Sequence, residues 1–238
     1  MLHIILLEAA IELVPSELTS LKEIQKHSHK RKRRPNEILL DQSNHGRSMT
    51  RLEDGDRRGR PDIVLFSLQS LLETPLCKAG LLSMHIQLQD GRIVEVHPEV
   101  RLPRNHDRFV GLMEQLLLKG QVPPTGDPLL KIINKSLSEL VSFLKGNSVD
   151  AITLLAIEGG QKIDMTSLVE MYPSEREVPV ILGVGAFPHG DFQGNARDVF
   201  ETHIELDHDV MMAWHVCSEV LWTYSLKHEI IAKRYSEA

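Results

Sequence analysis

Residues 180–191 read Val180-Ile181-Leu182-Gly183-Val184-Gly185-Ala186-Phe187-Pro188-His189-Gly190-Asp191, and this stretch decides the fold class. Its first half is apolar without alternation, which is the pattern of a strand buried on both faces of a parallel sheet. Glycines follow where the strand ends, and in an open α/β fold a ligand lies against bare backbone at that place. The stretch is not a dinucleotide fingerprint, because Pro188 stands where the third glycine belongs, and no Gly-Lys-Ser/Thr follows to make a phosphate loop. A plain turn between a strand and a loop is the alternative.

The rest of the chain alternates between strand and helix patterns. Apolar runs predict strands over 3–8, 129–133 and 150–157, and residues 82–89 and 92–97 alternate around Asp90-Gly91, which predicts a hairpin. Helices are expected over 16–27, 36–42, 61–72, 105–119, 136–144 (with a capping box from Ser136 to Glu139) and 210 to about 234. We therefore expect an α/β fold with a mostly parallel central sheet flanked by helices. By length alone, 238 residues can build one large or two small cores.

Charge is distributed unevenly along the chain. The formal net charge is −6, yet residues 22–60 hold 12 Lys and Arg against 6 Asp and Glu, so the remainder carries about −12. A basic segment on an acidic body is the electrostatic outline of a polyanion site with a repulsive surround. The run Lys30-Arg31-Lys32-Arg33-Arg34, taken alone, fits a solvated surface loop equally well.

Three further arginines gather at the start of the helix predicted over 105–119. Arg101, Arg104 and Arg108 precede or open an apolar-periodic run, and Arg104 and Arg108 share a face if the helix has begun by then. The helix macrodipole disfavours cations at this end, so a purely structural account of three of them is weak. Phosphate oxygens match the planar guanidinium fork, and together with the basic segment this favours a nucleic acid as the partner.

Composition excludes several other classes. With 42% hydrophobic and 25% charged residues the chain resembles an ordinary globular protein, and it has no apolar run near the roughly 20 residues that span a bilayer. Residues 1–8 lack a basic region and a cleavage site, and are interpreted as a buried strand rather than a signal peptide. Cys77 and Cys217 form no disulfide framework, and the 12 histidines show no metal spacing, so we expect no metal and a cytoplasmic location.

Three motifs, in one order and at matching spacing, resemble a known family. They are Arg-Arg-Gly-Arg-Pro-Asp-Ile-Val at 57–64, Arg-Leu-Pro-Arg-Asn-His-Asp-Arg-Phe-Val-Gly-Leu-Met-Glu-Gln-Leu at 101–116 and Gly-Ala-Phe-Pro-His-Gly-Asp-Phe at 185–192. They closely resemble the archaeal branch of the ribosome-biogenesis pseudouridine N1-methyltransferases, SPOUT-class enzymes that act on small-subunit ribosomal RNA. The resemblance covers nearly the whole chain, from the opening strand to Ala213-Trp214.

The resemblance implies a deeply knotted α/β fold, built as a single domain over residues 1–238, that works as a homodimer with S-adenosylmethionine held in the knot. It assigns a family-specific basic extension to about 22–60, a hairpin insertion to about 82–97 and the knot and cofactor region to about 150–215. Small-subunit rRNA is the implied substrate, ribosomal proteins or assembly factors are further partners, and neither DNA nor a membrane is expected.

Site residues follow from the same resemblance, position by position. The RNA-contacting residues fall on Arg60, Asp62, Arg101, Arg104 and Arg108. The cofactor contacts fall on a strand-end residue near Leu155, on two glycines and on the segment after the last strand: Leu155, Gly185, Gly190, Ile204, Glu205, Leu206, Asp207, His208 and Asp209. The segment departs from the family, since Leu206-Asp207-His208-Asp209 replaces an expected aromatic-proline character.

The chemistry that the resemblance implies needs a proton acceptor. The N1–H of pseudouridine loses its proton as the methyl group arrives, so a carboxylate or a bound water near the base is required. Asp62 is the candidate for the proton acceptor or, failing that, for a residue that orients the reacting groups. The alternative is that Asp62 caps the helix after Pro61 and buttresses Arg60. Two other function classes remain open: a noncatalytic rRNA-binding assembly factor, and a small-molecule α/β enzyme whose basic patch is incidental.

The predicted C-terminal helix supplies a separate argument for a dimer. It carries more apolar surface than one flank of a monomer usually needs, on Met211, Met212, Trp214, Val216, Val220 and Leu221. The alternative is a helix that packs only on its own sheet.

Overall fold

A mixed sheet of eight strands runs through the part of the chain that the computed structural model describes, residues 1–236. The strands are β1 (Leu2–Ala9), β2 (Leu82–Leu88), β3 (Ile93–Val96), β4 (Gln121–Val122), β5 (Leu130–Ile133), β6 (Ile152–Lys162), β7 (Val180–Gly185) and β8 (Thr202–Glu205). Their order in the sheet is β4-β5-β3-β2-β1-β7-β6-β8, and the four pairings among β2, β1, β7, β6 and β8 are parallel. The expected α/β fold with a mostly parallel sheet is confirmed.

Helices cover both faces of this sheet. They are α1 (Lys22–Arg31), α2 (Gln42–Met49), α3 (Pro61–Leu71), α4 (Pro75–Lys78), α5 (His106–Lys119), α6 (Leu137–Lys145), α7 (Met165–Met171), α8 (Ala196–Val199), α9 (Ala213–Lys227) and α10 (Ile230–Ser236). Within residues 1–236, no helix combines the length and the apolar character that crossing a bilayer requires.

Strand β1 lies within the parallel part of the sheet. All eight of its residues are buried, and it lies between β2 and β7 with Leu2 opposite Val180 and Leu7 opposite Gly185. Its side chains alternate between two hydrophobic cores, one on each face. Because β1, β7, β6 and β8 run in the same direction, their carboxyl ends meet at one edge of the sheet, which we call the carboxyl edge.

Local sequence signals were reliable where both partners are close in sequence. The hairpin of β2 and β3 is confirmed, with Gly91 at a φ of +87° in its turn. The capping box is confirmed as well, since Ser136 Oγ accepts from the backbone N–H of Glu139 and the Glu139 carboxylate accepts from the backbone N–H of Ser136.

Three predicted elements were wrong in their bounds. The helix expected over 16–27 begins as a short 3-10 turn, and α1 starts only at Lys22 and runs to Arg31. The helix expected over 36–42 is a 3-10 turn at Pro35–Glu37, because Asp41 caps α2 by accepting from the N–H of Ser43. The long C-terminal helix is broken into α9 and α10, because Glu229 adopts a φ of +55°, which a helix does not tolerate.

The basic segment 22–60 shares a small hydrophobic core with residues 14–18 just before it. Seven buried side chains form it, from the 3-10 turn, α1, α2 and the loops between them: Val14, Leu18, Ile24, Ile38, Leu40, Met49 and Leu52. The segment is therefore a folded attachment and not a bare solvated loop.

Helix α9 brings the chain back from the edge of the sheet to its centre. It follows edge strand β8 and packs against α3, with further contacts to β1 and β7. Val216, Val220 and Leu221 are buried in this packing. The deep knot that the resemblance implies stays a prediction.

Three buried histidines predict how stability depends on pH. Burial lowers the pKa of His3, His45 and His85 from 6.5 to about 4; a neighbouring charge on His27 adds to the effect at His45. Between pH 6.5 and pH 4 the unfolded chain binds more protons than the folded chain, so the free energy of unfolding falls as the pH drops through this window.

We expect the urea midpoint to decrease progressively from pH 7 to pH 5 at constant ionic strength. His85→Leu, which removes a buried Nδ1 without a hydrogen-bond partner, reduces this slope. The matched control His29→Gln changes an exposed histidine and leaves the slope as it is. A midpoint that does not vary between pH 7 and pH 5 contradicts the prediction.

Candidate functional site

The glycine loop after β7 is joined directly to the end of β1. Gly185 closes β7, the backbone N–H of Ala186 donates to the carbonyl of Leu7 at 2.8 Å, and that of Ala10 donates to the carbonyl of Ala186 at 3.0 Å. A Cβ on Gly185 would lie 3.0 Å from the ring of Phe187, although the φ of Gly185 is not in the left-handed region. Gly185 is thus required for close approach and not for an unusual backbone angle.

Strands β6 and β8 supply the second wall of the carboxyl edge. β6 bulges between Ala156 and Gln161, and a Cβ on Gly160 would lie 2.8 Å from the backbone of Ile204. Gly159 has a φ of +77°, and its N–H donates to a carboxylate oxygen of Glu205 at 2.8 Å. Gly160 is therefore required for the close approach of β6 to β8, and Gly159 is exposed beside it.

The predicted cofactor residues of these two strands divide into buried and exposed sets. Leu155 is not at a strand end, because β6 continues to Lys162, and its side chain is fully buried in the core. Ile204 is also fully buried, so only the backbone of these two residues can reach a ligand. Leu206 is partly buried against the main core, while Asp207, His208 and Asp209 are exposed at the edge.

Gly190 lies in a loop that a buried ion pair holds in place. Its φ is +81°, and a Cβ there would lie 2.9 Å from Nη1 of Arg57. Arg57 donates through Nη1 to the carbonyls of His189 and Asp191, at 3.0 and 2.6 Å, and through Nη2 to Glu8 at 2.8 Å. This pair was not anticipated from the sequence, since Arg57 was placed in the basic segment and in the motif at 57–64 but was assigned no partner.

Arg60 and Asp62 form a two-pronged ion pair at the start of α3. Nε and Nη2 of Arg60 donate to the two carboxylate oxygens of Asp62 at 2.8 and 2.7 Å. Burial raises the pKa of Asp62, but the hydrogen bond and the charge of Arg60 outweigh it, with a small contribution from His106, so the pKa ends below its usual value. Both oxygens are engaged by Arg60, and this geometry favours the role of a buttress over that of a base.

Arg101, Arg104 and Arg108 are all exposed, and within residues 1–236 none of them forms an ion pair. Asn105 caps α5 by accepting from the N–H of Arg108 at 3.2 Å. Because Arg104 precedes this cap, it lies outside the helix, and the condition under which Arg104 and Arg108 would share a helical face is not met. The three guanidinium groups are nevertheless available to an external anion.

A buried carboxylate on α5 docks the basic run onto this helix. Glu114 is fully buried, and it accepts from Arg31 Nη2 at 2.7 Å and lies 3.4 Å from Nε of Arg33. Lys30, Lys32 and Arg34 remain exposed. Two of the five basic side chains are therefore structural, and the other three add to the positive surface near α5.

Three histidines and Asp41 form a line of contacts between α1, α2 and α5 near the same surface, linked in the middle by the backbone N–H of Asp41, which donates to Nδ1 of His45 at 3.1 Å. His27 Nδ1 lies 2.7 Å from His45 Nε2, and His106 Nε2 lies 3.2 Å from a carboxylate oxygen of Asp41. Across residues 1–236, no three His, Cys, Asp or Glu side chains gather closely enough to hold a metal ion.

The two groups of predicted residues meet at Ala10. Its N–H donates to Ala186 of the glycine loop, and its carbonyl accepts from the N–H of Arg60 at 3.0 Å. The start of α3, with its arginine, is therefore one residue away from the carboxyl edge.

Comparison with known proteins agrees with this architecture. The family model described as EMG1/NEP1 methyltransferase matches residues 4–225. The ribosomal RNA small subunit methyltransferases Nep1 of Staphylothermus marinus and Thermococcus kodakarensis are each 40% identical to the chain over 221 residues, which cover 92 and 93% of it and 93 and 96% of those proteins.

A solved structure indicates the same family. The crystal structure of Archaeoglobus fulgidus Nep1 bound to S-adenosylhomocysteine superposes with a TM-score of 0.82 at 31% identity, covering 95% of this chain and 98% of that one. The fold is that of an α/β methyltransferase of the SPOUT class. The chain belongs to the EMG1/NEP1 methyltransferase family.

Proposed function

We propose that this protein transfers a methyl group from S-adenosylmethionine to N1 of a pseudouridine in small-subunit ribosomal RNA, as a step in small-subunit biogenesis. The observation that carries the proposal is the position of Ala10, which is hydrogen-bonded to the glycine loop on one side and to Arg60 on the other. A cofactor at the carboxyl edge and an RNA held by the arginines would then be neighbours.

The residues at the carboxyl edge fit the cofactor. Gly159 and Gly190 are exposed at this edge and carry no side chain, while Gly160 and Gly185 allow close packing against Ile204 and Phe187, which lie 2.8 and 3.0 Å from where a Cβ would be. Gly185, Gly190, the backbone of Leu155 and the segment 204–209 would hold S-adenosylmethionine, which supplies an electrophilic methyl group when bound. The relative from Archaeoglobus fulgidus was crystallised with S-adenosylhomocysteine, which supports this assignment.

The protein's own contribution is positioning. Arg101, Arg104 and Arg108 would bind backbone phosphates, and Arg60, fixed by Asp62, would orient the target nucleotide. Burial raises the pKa of Asp62, but the hydrogen bond and the positive charge of Arg60 outweigh this effect and keep the pKa below its usual value. We infer that Asp62 acts by orienting Arg60 and that water accepts the N1 proton.

The test is methyl transfer to small-subunit rRNA fragments transcribed with pseudouridine in place of uridine. We expect labelled methyl groups on these fragments and none on the matched uridine transcripts. Equal transfer to both would remove N1 of pseudouridine as the acceptor. S-adenosylhomocysteine binding by calorimetry separates an enzyme from a noncatalytic assembly factor, and a steep loss of RNA affinity with salt excludes a small-molecule enzyme.

The homodimer is also proposed, on a set of residues that shares only Met212 with the set that the sequence suggested. Three of the suggested residues are buried within the chain: Val216, Val220 and Leu221. Four large apolar side chains are exposed on α3, on α9 and in the loop before α9: Phe66, Met212, Trp222 and Leu226. Exposed apolar side chains of this size favour a second copy as their cover.

We expect light scattering at micromolar concentration to report twice the chain mass of 26.9 kDa. Leu226→Glu, placed on an exposed position of α9, shifts the particle toward the single chain, whereas Phe143→Glu on α6 does not. A particle of one chain mass for the unmodified protein refutes the dimer.

The remaining expectations stay proposals with this function. Both cysteines are free and buried, which suits a reducing cytoplasm. A single domain over 1–238 and contacts with ribosomal proteins or assembly factors follow from the same assignment.

A further inference from the structure

Glu8 has a backbone conformation that requires an explanation. It lies at the carboxyl end of β1 with a φ of +49°, a left-handed angle that residues other than glycine rarely adopt. Its side chain is buried, and its carboxylate accepts from the backbone N–H groups of Gln193 and Gly194 at 3.0 and 2.8 Å. Strained residues of this kind persist where the surroundings determine them, often beside functional sites.

The partner of Glu8 is Arg57, at the end of the basic segment. Arg57 closes a ring of contacts around the loop 187–194: it pairs with Glu8, and its Nη1 reaches the carbonyls of His189 and Asp191. The guanidinium carbon lies 4.0 Å above the centre of the Phe187 ring. No charge in this pair is exposed enough to bind RNA, since both side chains are less than a tenth accessible.

The ring of Phe187 lies between Arg57 and Gly185, the glycine at the end of β7. Phe187 lies 3.0 Å from the place where a Cβ of Gly185 would be, and it meets Phe192 edge to face. Gly190 must be glycine where it passes beneath Nη1 of Arg57. Moving Arg57 therefore moves both glycines that the proposed cofactor would contact.

We propose that Glu8 and Arg57 are positioning residues that hold the loop 187–194 in the conformation that binds S-adenosylmethionine. This inference rests on the proposed function and assigns to Arg57 a role different from that of the RNA-binding arginines. The pair acts on cofactor affinity through the loop, and it leaves RNA affinity unchanged.

The test compares Arg57→Met with Arg58→Met. Arg58 is the next residue and forms a similar pair, donating through Nε to Glu12 at 2.6 Å, but within residues 1–236 its side chain has no hydrogen bond or ion pair with the loop. We expect Arg57→Met to weaken S-adenosylhomocysteine binding roughly 10- to 100-fold and to raise KM for S-adenosylmethionine, with RNA affinity within about twofold of the parent. Arg58→Met should keep the parent's cofactor affinity.

Arg57→Lys keeps a charge opposite Glu8 but cannot reach both carbonyls, and it gives an intermediate loss. It also decides the question if Arg57→Met does not fold, because removing one partner of a buried pair destabilises strongly. Cofactor affinity equal to the parent's in Arg57→Lys and Arg57→Met, or an equal loss in Arg58→Met, would overturn the inference.

Amide hydrogen exchange separates this inference from the proposed function. In the cofactor-free protein, we expect exchange in 187–194 to accelerate in Arg57→Met and not in Arg58→Met, while β7 stays protected. If the unmodified protein binds no S-adenosylhomocysteine, the proposed function and the cofactor role of the pair both fail. Unchanged exchange in the loop would overturn the positioning role even if the cofactor binds.

Discussion

Gly185→Val is expected to abolish binding of S-adenosylmethionine. The added Cβ would lie 3.0 and 3.1 Å from two atoms of the Phe187 ring and 3.4 Å from Phe192, so the ring must leave its place beneath Arg57. Because the φ of Gly185 is not left-handed, no backbone strain adds to this overlap. The cost in stability is that of overpacking, about 1–3 kcal/mol, which a folded domain of this size tolerates.

Calorimetry with S-adenosylhomocysteine and thermal melting of the same sample test this prediction together. Gly46→Val is the matched control, since a Cβ there has no neighbour nearer than 4.0 Å. Gly185→Ala should give a partial loss, because its single methyl group demands a shift of a few tenths of an ångström from Phe187. A Gly185→Val protein that melts normally and still binds cofactor would move the site away from this loop.

The elements predicted well are those specified by neighbouring residues. Asp90-Gly91 sets the hairpin through its own turn, Ser136 and Glu139 cap α6 reciprocally, and the apolar period of 109–117 places α5 within a residue of its observed bounds. In each case the partners are a few residues apart. Local physics alone therefore determines the structure there.

What the sequence did not reveal depends on distant partners. Glu8 and Arg57 are 49 residues apart, Arg31 and Glu114 are 83 apart, and neither pairing leaves a periodic signal. The apolar residues of α9 illustrate the same limit. The helix was correctly expected, but the sequence does not show whether Val220 contacts a second copy or α3. That depends on how the chain returns from β8 to the centre of the sheet. Of the predicted site, the pairing of Asp62 with Arg60 was anticipated as one alternative because the two residues are neighbours, whereas the division of 204–209 into buried and exposed residues was not.

Arg104→Ala is expected to weaken RNA binding severely and to leave cofactor affinity unchanged. Arg104 is exposed, it precedes the cap of α5, and it stands between Arg101 and Arg108. Loss of one two-pronged phosphate contact costs on the order of 1–3 kcal/mol, or roughly 5- to 150-fold in affinity. Because the side chain has no ion pair within residues 1–236, its removal leaves no buried charge behind, and the melting temperature should not change.

The salt dependence of binding identifies the nature of the lost contact. If Arg104 binds a phosphate, the slope of log affinity against log salt decreases by about 0.7 to 0.9 in the variant, since one counterion fewer is released. Arg176→Ala is the matched control: Arg176 is also exposed, but it precedes β7 and so lies at the amino end of the sheet, opposite the carboxyl edge. Gel-shift titrations at several salt concentrations should separate the two variants. Unaltered affinity and slope for Arg104→Ala would show that this residue does not bind RNA. The RNA contacts would then have to come from Arg101, Arg108 and the exposed cations of the basic run.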